Sequence, residues 1–337
     1  MRKACLYIFI AAIAFSEVHA QEVDHTQYFL NLPGINPAFT GVEDYLDARA
    51  SFRQGWNNFN VKNTYTFASV YGALNNAPRA ALTNNTLRFD DEAGRFNGRT
   101  YRRSTRKHGI GGMFTSRNLG QYTATSASAN YAYHIPISNT VKMSLGAQGS
   151  YFANRISPEG FTVRDDIHDT FFQQLMTSST GNFSYFALDF GYTVYSSKFY
   201  VGVSSSNLVS SKINGENFAG IGHPLKINLQ TALTRIPLGP NLTLSPGVRI
   251  TYIDGSDMIY NVNMRLRYKE ALYIGSAYSF PNSKMSLIGG ISISKQLRVS
   301  YAFDKYLSDL NNFNVTVHEI VLGLSLFNRY NRSSLLW

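Results

Sequence analysis

The sequence predicts an all-β fold: an outer-membrane antiparallel β-barrel of about fourteen strands, with twelve to sixteen as bounds, and an N-terminal plug-like segment. Three observations predict it. Residues 225–327 read as seven consecutive stretches of alternating side chains, each about ten residues long, separated by very short turns. In one of them Val262, Met264, Leu266 and Tyr268 point one way while Asn263, Arg265, Arg267 and Lys269 point the other. Aromatic and branched residues thus back a charged face, the arrangement of lipid outside and water inside. The third observation is an export signal at the start of the chain.

That signal occupies residues 1–20. Arg2 and Lys3 form a positive region, Ala4 to Phe15 an apolar one, and Val18-His19-Ala20 a small-residue cleavage site, so the mature chain is expected to begin near Gln21. The apolar run is too short to span a bilayer, and no later segment approaches the ~18 uninterrupted apolar residues of a transmembrane helix. The single cysteine, Cys5, lies in the leader, which removes disulfides, thiolate catalysis and cysteine metal sites from the mature chain. A mean hydropathy of -0.17 is too polar for a helical membrane protein, yet suits a barrel whose lumen is hydrophilic. Losing Arg2, Lys3 and Glu17 takes the formal charge from +10 to +9. For an exported barrel such a charge points to anionic headgroups or acidic polypeptides rather than nucleic acid.

Alternation places strands near 48–54, 64–73, 108–116, 122–134, 141–153, 184–195, 198–206, 225–236, 242–253, 258–269, 271–280, 284–293, 296–305 and 315–326. With both termini in the periplasm, the connections 154–183 and 207–224 fall outside, while 135–140, 196–197, 237–241, 270 and 294–295 become tight periplasmic turns. Residues 74–107 break this rule, as a long periplasmic loop or as one more hairpin. Outward aromatics at strand ends (Tyr131, Tyr133, Tyr192, Phe199, Tyr200, Tyr252, Tyr268, Tyr278 and Phe280) suit the girdles of a membrane interface. A β-sandwich also alternates, but its outer faces would seldom carry so many rings.

Facing inward in the same parity are Lys142, Lys226, Arg249, Arg265, Arg267, Lys269 and Arg298, against few acids such as Asp189 and Glu319. This cationic lumen reads either as ordinary solvation or as a site for an acidic peptide or a plug. Residues 21–47 are the candidate plug, because Pro33 and Pro37 keep them from being strands while their aromatics require burial. The densest basic run, Arg95, Arg99, Arg102, Arg103, Arg106 and Lys107, reads as a solvated loop or as a dock for an acidic periplasmic partner or lipid phosphates.

Catalytic signals are weak. The six histidines of the mature chain show no metal-binding spacing, and no nucleophile elbow is present. Asp165, Asp166, His168 and Asp169 hold calcium-type ligands but lack the EF-hand glycine and terminal glutamate. The expectation is a non-enzymatic protein with no cofactor and no metal.

Short motifs then narrow the class. Gln27-Tyr28-Phe29-Leu30-Asn31 is followed by Asn36-Pro37-Ala38-Phe39-Thr40-Gly41, and Arg53-Gln54-Gly55-Trp56 ends the first strand. Further on come Asn130-Tyr131-Ala132-Tyr133-His134, Ser197-Lys198-Phe199-Tyr200-Val201-Gly202, Ser300-Tyr301-Ala302-Phe303-Asp304 with Leu307-Ser308, and His318-Glu319-Ile320. In this order they resemble the PorP/SprF family of type IX secretion system membrane proteins across nearly all of residues 25–327. Gln27, Tyr28, Asn31, Asn36, Pro37, Ala38, Phe39, Gly41 and Trp56 match the family motif. Gly55 departs from it, residues 75–107 are longer and more basic, and the chain runs past Phe327 to Trp337.

The resemblance implies an outer-membrane component of the type IX system of Bacteroidota. It would serve secretion or surface attachment of large proteins, gliding adhesins included, with secretion components, substrate proteins and outer-membrane lipid as partners. The expected organisation is a signal peptide (1–20), a plug segment (21–47), a transmembrane barrel (48–327) and a tail (328–337). The competing reading is a fatty-acid-channel-like transporter of hydrophobic small molecules, with Pro246-Gly247 as the site of a lateral opening.

Overall fold

Strands form where β-branched and aromatic residues alternate with polar ones, and every such stretch forms one. A computed structural model describes residues 25–55, 63–74, 106–157, 173, 181–214, 224–269, 271–294, 296–307 and 315–328. The strands are β1 (Leu46–Gly55), β2 (Asn63–Ala73), β3 (Lys107–Leu119), β4 (Tyr122–Pro136), β5 (Val141–Ile156), β6 (Asn182–Ser196), β7 (Phe199–Asn214) and β8 (Lys226–Leu233). There follow β9 (Ile236–Pro237), β10 (Leu242–Ile253), β11 (Ile259–Tyr268), β12 (Leu272–Phe280), β13 (Lys284–Ser292), β14 (Leu297–Tyr306) and β15 (Thr316–Leu326).

Each strand pairs antiparallel with its neighbour, and β15 closes on β1 from Leu46 opposite Leu326 to Gly55 opposite Val317. The two-residue β9 resumes the β8 ladder on β10 after a bulge in which Leu233, Thr234 and Arg235 stand opposite only Ser245 and Pro246, so the ring is a closed fourteen-stranded barrel. Proline has no N–H for a ladder, and the bulge falls where that donor is missing. On the other side of β10, Pro246 stays in register with Met264 of β11.

The burial pattern inverts that of a soluble protein. Val262 and Met264 are 46% and 48% exposed, whereas Asn263 and Arg265 on the same strand are 3% and 6% exposed. Apolar side chains therefore face lipid and polar ones the lumen, which makes this an outer-membrane barrel.

All fourteen expected strands are present, and three outrun their expected ends by three residues or more. β3 continues to Leu119, β5 to Ile156 and β7 to Asn214. In β7 the left-handed Asn207 (φ 57) and an irregular register opposite Asp189 interrupt the alternation, while pairing with β6 persists beyond them. β5, β6 and β7 have 16, 15 and 16 residues against 9 in β12 and β13. A tilted strand needs about nine residues to cross the hydrocarbon, so the wall stands high on the β5–β7 side and low on the β12–β13 side.

Two inferred orientations are corrected. Tyr200 is 2% exposed and faces the lumen, because it neighbours the outward Phe199 and a strand alternates. Lys269 is not a lumen residue: it lies in a turn with φ 47, exposed, its ammonium over the Tyr268 ring. The connection 75–105, Trp56, the basic side chains Arg95, Arg99, Arg102 and Arg103, and the cluster Asp165, Asp166, His168 and Asp169 lie outside the described residues.

Candidate functional site in the lumen

Residues 25–45 cannot join the sheet, since Pro33 and Pro37 remove ladder donors, and they carry eight large apolar side chains. They run instead inside the ring. Two 3-10 helices, Tyr28–Gly34 and Pro37–Phe39, form their body, and Tyr28, Phe29, Leu30, Leu32, Phe39 and Val42 are all at most 3% exposed.

The segment descends from one mouth of the barrel to the other. The start of β1, the end of β15 and the tight connections 137–140, 197–198, 238–241 and 293–294 mark one end, the periplasmic end by the usual rule of short periplasmic turns. Thr26 lies at the opposite mouth. It meets Lys284, the first residue of β13, and Asp304, near the far end of β14. The described chain does not start at the periplasmic side: residues 25 and 26 sit at the outer mouth, and the chain crosses the lumen before β1 begins.

At that outer mouth Thr26 donates to both carboxylate oxygens of Asp304, at 2.8 and 2.7 Å. Lys284 and Arg53 donate to the Thr26 hydroxyl at 3.2 and 3.4 Å. Arg53 also bridges Glu319 at 2.9 Å and Asp304 at 3.1 Å. Two cations thus face two carboxylates around one hydroxyl, so the buried charges cancel. His25 packs edge-on against Tyr65, with ring centroids 4.3 Å apart.

Lower down, Gln27 accepts from Ser300, and the Tyr28 hydroxyl accepts from Asn263 at 2.6 Å. The guanidiniums of Arg249 and Arg265 lie 4.6 and 3.8 Å from the ring centroids of Tyr28 and Phe29. Two of the four lumen arginines read from sequence thus brace the segment by cation–π contact. Asn130 donates to Pro33 O at 3.0 Å, and Ser204 to Ile35 O at 2.9 Å.

Asn36, like Thr26, makes four side-chain hydrogen bonds. Its amide nitrogen faces Tyr192 O and Val203 O at 3.3 Å and Gln230 Oε1 at 3.2 Å, while its oxygen accepts from Ala38 N at 3.0 Å and caps the second 3-10 helix. The backbone there lies flush on glycines of the wall. A Cβ at Gly146 would fall 2.3 Å from Ala38 N, and one at Gly191 only 2.0 Å from Asn36 Oδ1. Phe39 stands edge-on to Tyr200, with centroids 5.2 Å apart.

At the periplasmic mouth His134 donates through Nε2 to Thr40 O at 2.8 Å; a carbonyl only accepts, so Nδ1 receives the Tyr195 hydroxyl at 2.8 Å. Gly41 turns with φ 70 against Gly109, where a Cβ would fall 1.9 Å from Thr40 O. Lys107 is corrected here. Grouped by sequence with the exposed basic run, it is 5% exposed and donates to Val42 O at 2.6 Å and Asp44 at 3.2 Å, because strand alternation turns it inward. Arg106, one position earlier, is exposed.

The motif residues Gln27, Tyr28, Asn31, Asn36, Pro37, Ala38, Phe39 and Gly41 thus lie along one path. Their receptors, among them Arg53, Lys284, His134, Gly146 and Gly191, were not marked as site residues by sequence. The strips 130–134, 300–304 and 318–320 did carry several of them, since Asn130, His134, Ser300, Asp304 and Glu319 all face this segment.

The model of the family described as type IX secretion system membrane protein PorP/SprF matches residues 17–324. The chain belongs to the PorP/SprF family. As a PorP/SprF protein it is an outer-membrane member of the type IX secretion system. Among solved structures, this PorP/SprF protein is similar to the Ralstonia pickettii toluene transporter TbuX, at 8% identity over 89% of this chain and 93% of that one, with a TM-score of 0.50. It is also similar to the Pseudomonas putida toluene transporter TodX, at 9% identity over 92% and 99%, with a TM-score of 0.49. At such identities the likeness is one of fold. No curated protein sequence matches the chain.

Proposed function

We propose that this PorP/SprF protein is a non-enzymatic barrel of the type IX machinery that supports secretion or surface attachment of large, adhesin-like proteins by binding and positioning them. The observation that carries this reading is the filled lumen. Residues 25–45 cross it from mouth to mouth and are held by hydrogen bonds, ion pairs and ring contacts to strands all around the ring. They act as a plug, and a folded substrate passes beside this barrel, not through it.

Transport of a hydrophobic small molecule, the second reading, is favoured by the bulge opposite Pro246, the kind of ladder irregularity from which a wall opening is made. Deleting the gene and comparing surface and secreted proteins by mass spectrometry separates the two. Loss of one or a few large proteins supports a dedicated accessory, and broad loss a core part of the machine. An unchanged secretome with impaired uptake of a hydrophobic nutrient overturns the secretion reading in favour of transport.

A further inference from the structure

The lipid-facing wall carries one arrangement of four side chains twice, once near each membrane surface. At the periplasmic end of β3, His108 Nδ1 and the Tyr131 hydroxyl of β4 lie 2.6 Å apart. Tyr133 stands directly opposite His108, with ring centroids 4.9 Å apart. Arg106, two residues before His108, is exposed. At the outer end of β15, His318 Nδ1 and the Tyr301 hydroxyl of β14 lie 2.7 Å apart. Phe303 stands directly opposite His318, with ring centroids 5.4 Å apart. Lys305, two residues beyond Phe303 and opposite Thr316, is exposed. In each set the hydrogen-bonded tyrosine lies toward the middle of the membrane and the cation toward water.

Strand parity puts both sets on the outer face. Ile110 and Ile320, each two residues from its histidine, are exposed to lipid, while Lys107 and Glu319, next to the histidines, are buried in the lumen. Their heights match the two surfaces of the bilayer. Arg106 immediately precedes β3 at the periplasmic end, and Leu297 to Lys305 is nine residues, the length of tilted strand that crosses the hydrocarbon. Cations at these levels reach headgroups and not acyl chains. The tyrosine also orients its imidazole. A tyrosine O–H that donates to Nδ1 places the ring hydrogen on Nε2, on the far side of the ring. Each set thus offers an N–H donor and a full positive charge together, at the edge of an apolar wall.

We propose that the two sets are receptors for the phosphates of lipid headgroups, one in each leaflet. A headgroup phosphate has several acceptor oxygens, and the imidazole with the neighbouring guanidinium or ammonium supplies charge-assisted donors to them. The rings of Tyr131 and Tyr133, and of Tyr301 and Phe303, pack on the glycerol and first methylenes below that phosphate. Free inorganic phosphate is the wrong occupant, because an anion without acyl chains gains nothing from the apolar wall around each set. Two lipids held at opposite surfaces fix the height of the barrel in the membrane. This inference rests on how the barrel lies in the bilayer and is independent of any role in secretion.

The test uses the full mature chain, delipidated in detergent, with dioleoylphosphatidylglycerol as probe and native mass spectrometry as readout. The parent is expected to retain two molecules of this lipid, and to bind dioleoylglycerol, the same chains without phosphate, about tenfold less tightly. Arg106→Gln with His108→Phe, and Lys305→Gln with His318→Phe, are each expected to remove one of the two lipids. Lys198→Gln and Arg155→Gln, exposed cations in the turn 197–198 and at the outer end of β5, are expected to remove neither. Folding of each variant is read from the mobility difference between heated and unheated samples on a gel. If a double variant loses that difference, its histidine substitution alone is measured in its place. The proposal is overturned if the altered sets retain both lipids, or if dioleoylglycerol binds as tightly as the phospholipid. It is also overturned if Lys198→Gln and Arg155→Gln remove lipid as readily, which would make the effect one of general surface charge, or if millimolar inorganic phosphate displaces the lipid fully, which would make these small-anion sites.

Discussion

Asn36 shows what a single side chain can decide. One primary amide has two donors and an oxygen acceptor, and here all are engaged, by carbonyls of β6 and β7, by Gln230 of β8, and by the turn that follows it. Such an amide reaches wall carbonyls only if the wall has no side chains in its way, which is why Gly146 and Gly191 stand opposite the Asn-Pro-Ala run. A paired substitution separates this from a general need for glycine. Gly146→Ala drives a methyl into the backbone of residues 37 and 38 and should lower stability by ~1–3 kcal/mol, seen as an earlier loss of compact gel mobility on heating. Gly289→Ala, on the lipid side with nothing within 4 Å, should leave it unchanged. Equal behaviour of the two variants would mean that the plug is not seated on the wall as described.

At the scale of elements, the plug is fixed at both ends by different chemistry, ionic at the outer mouth and glycine-seated near the periplasm. The side chains of the outer cluster are 8% or less exposed, and the cluster is neutral only as a set. Arg53→Met should cost about 3–5 kcal/mol, because Glu319 is left buried without its partner. Adding Glu319→Leu should recover part of the loss. Thermal unfolding of parent, single and double variants checks this; a double variant no better than the single would deny the pairing.

The strands themselves were legible because alternation with period two is local. The upper part of β7 was not, because the bulge at Asn207 resets the alternation and Leu208–Asn214 reads as a polar loop. Lys107 was misassigned because five arginines precede it and only its strand parity separates it from them. The plug's path was beyond reach of any local pattern, since Thr26 and its partner Asp304 stand 278 residues apart in the chain. What the sequence did carry was the need for a path, in two prolines among large apolar side chains.

For the molecule as a whole, a wall of fourteen strands encloses more space than its own side chains fill, and the plug occupies the remainder. Deleting residues 21–41 should give barrels that keep their gel mobility shift but conduct ions in planar bilayers; a deletion variant that stays closed would overturn the plug. The direction in which the plug lies has its own consequence. Its described start, residue 25, is at the outer mouth and its tethered end at Leu46, where β1 begins its seam with β15. A ring sealed first would have to be threaded from below by the segment and whatever precedes it. A ring sealed last is simply wrapped around a cord already in place. The seam from Leu46–Leu326 to Gly55–Val317 is thus the clasp of the assembly, and the cord must be laid before the clasp is shut.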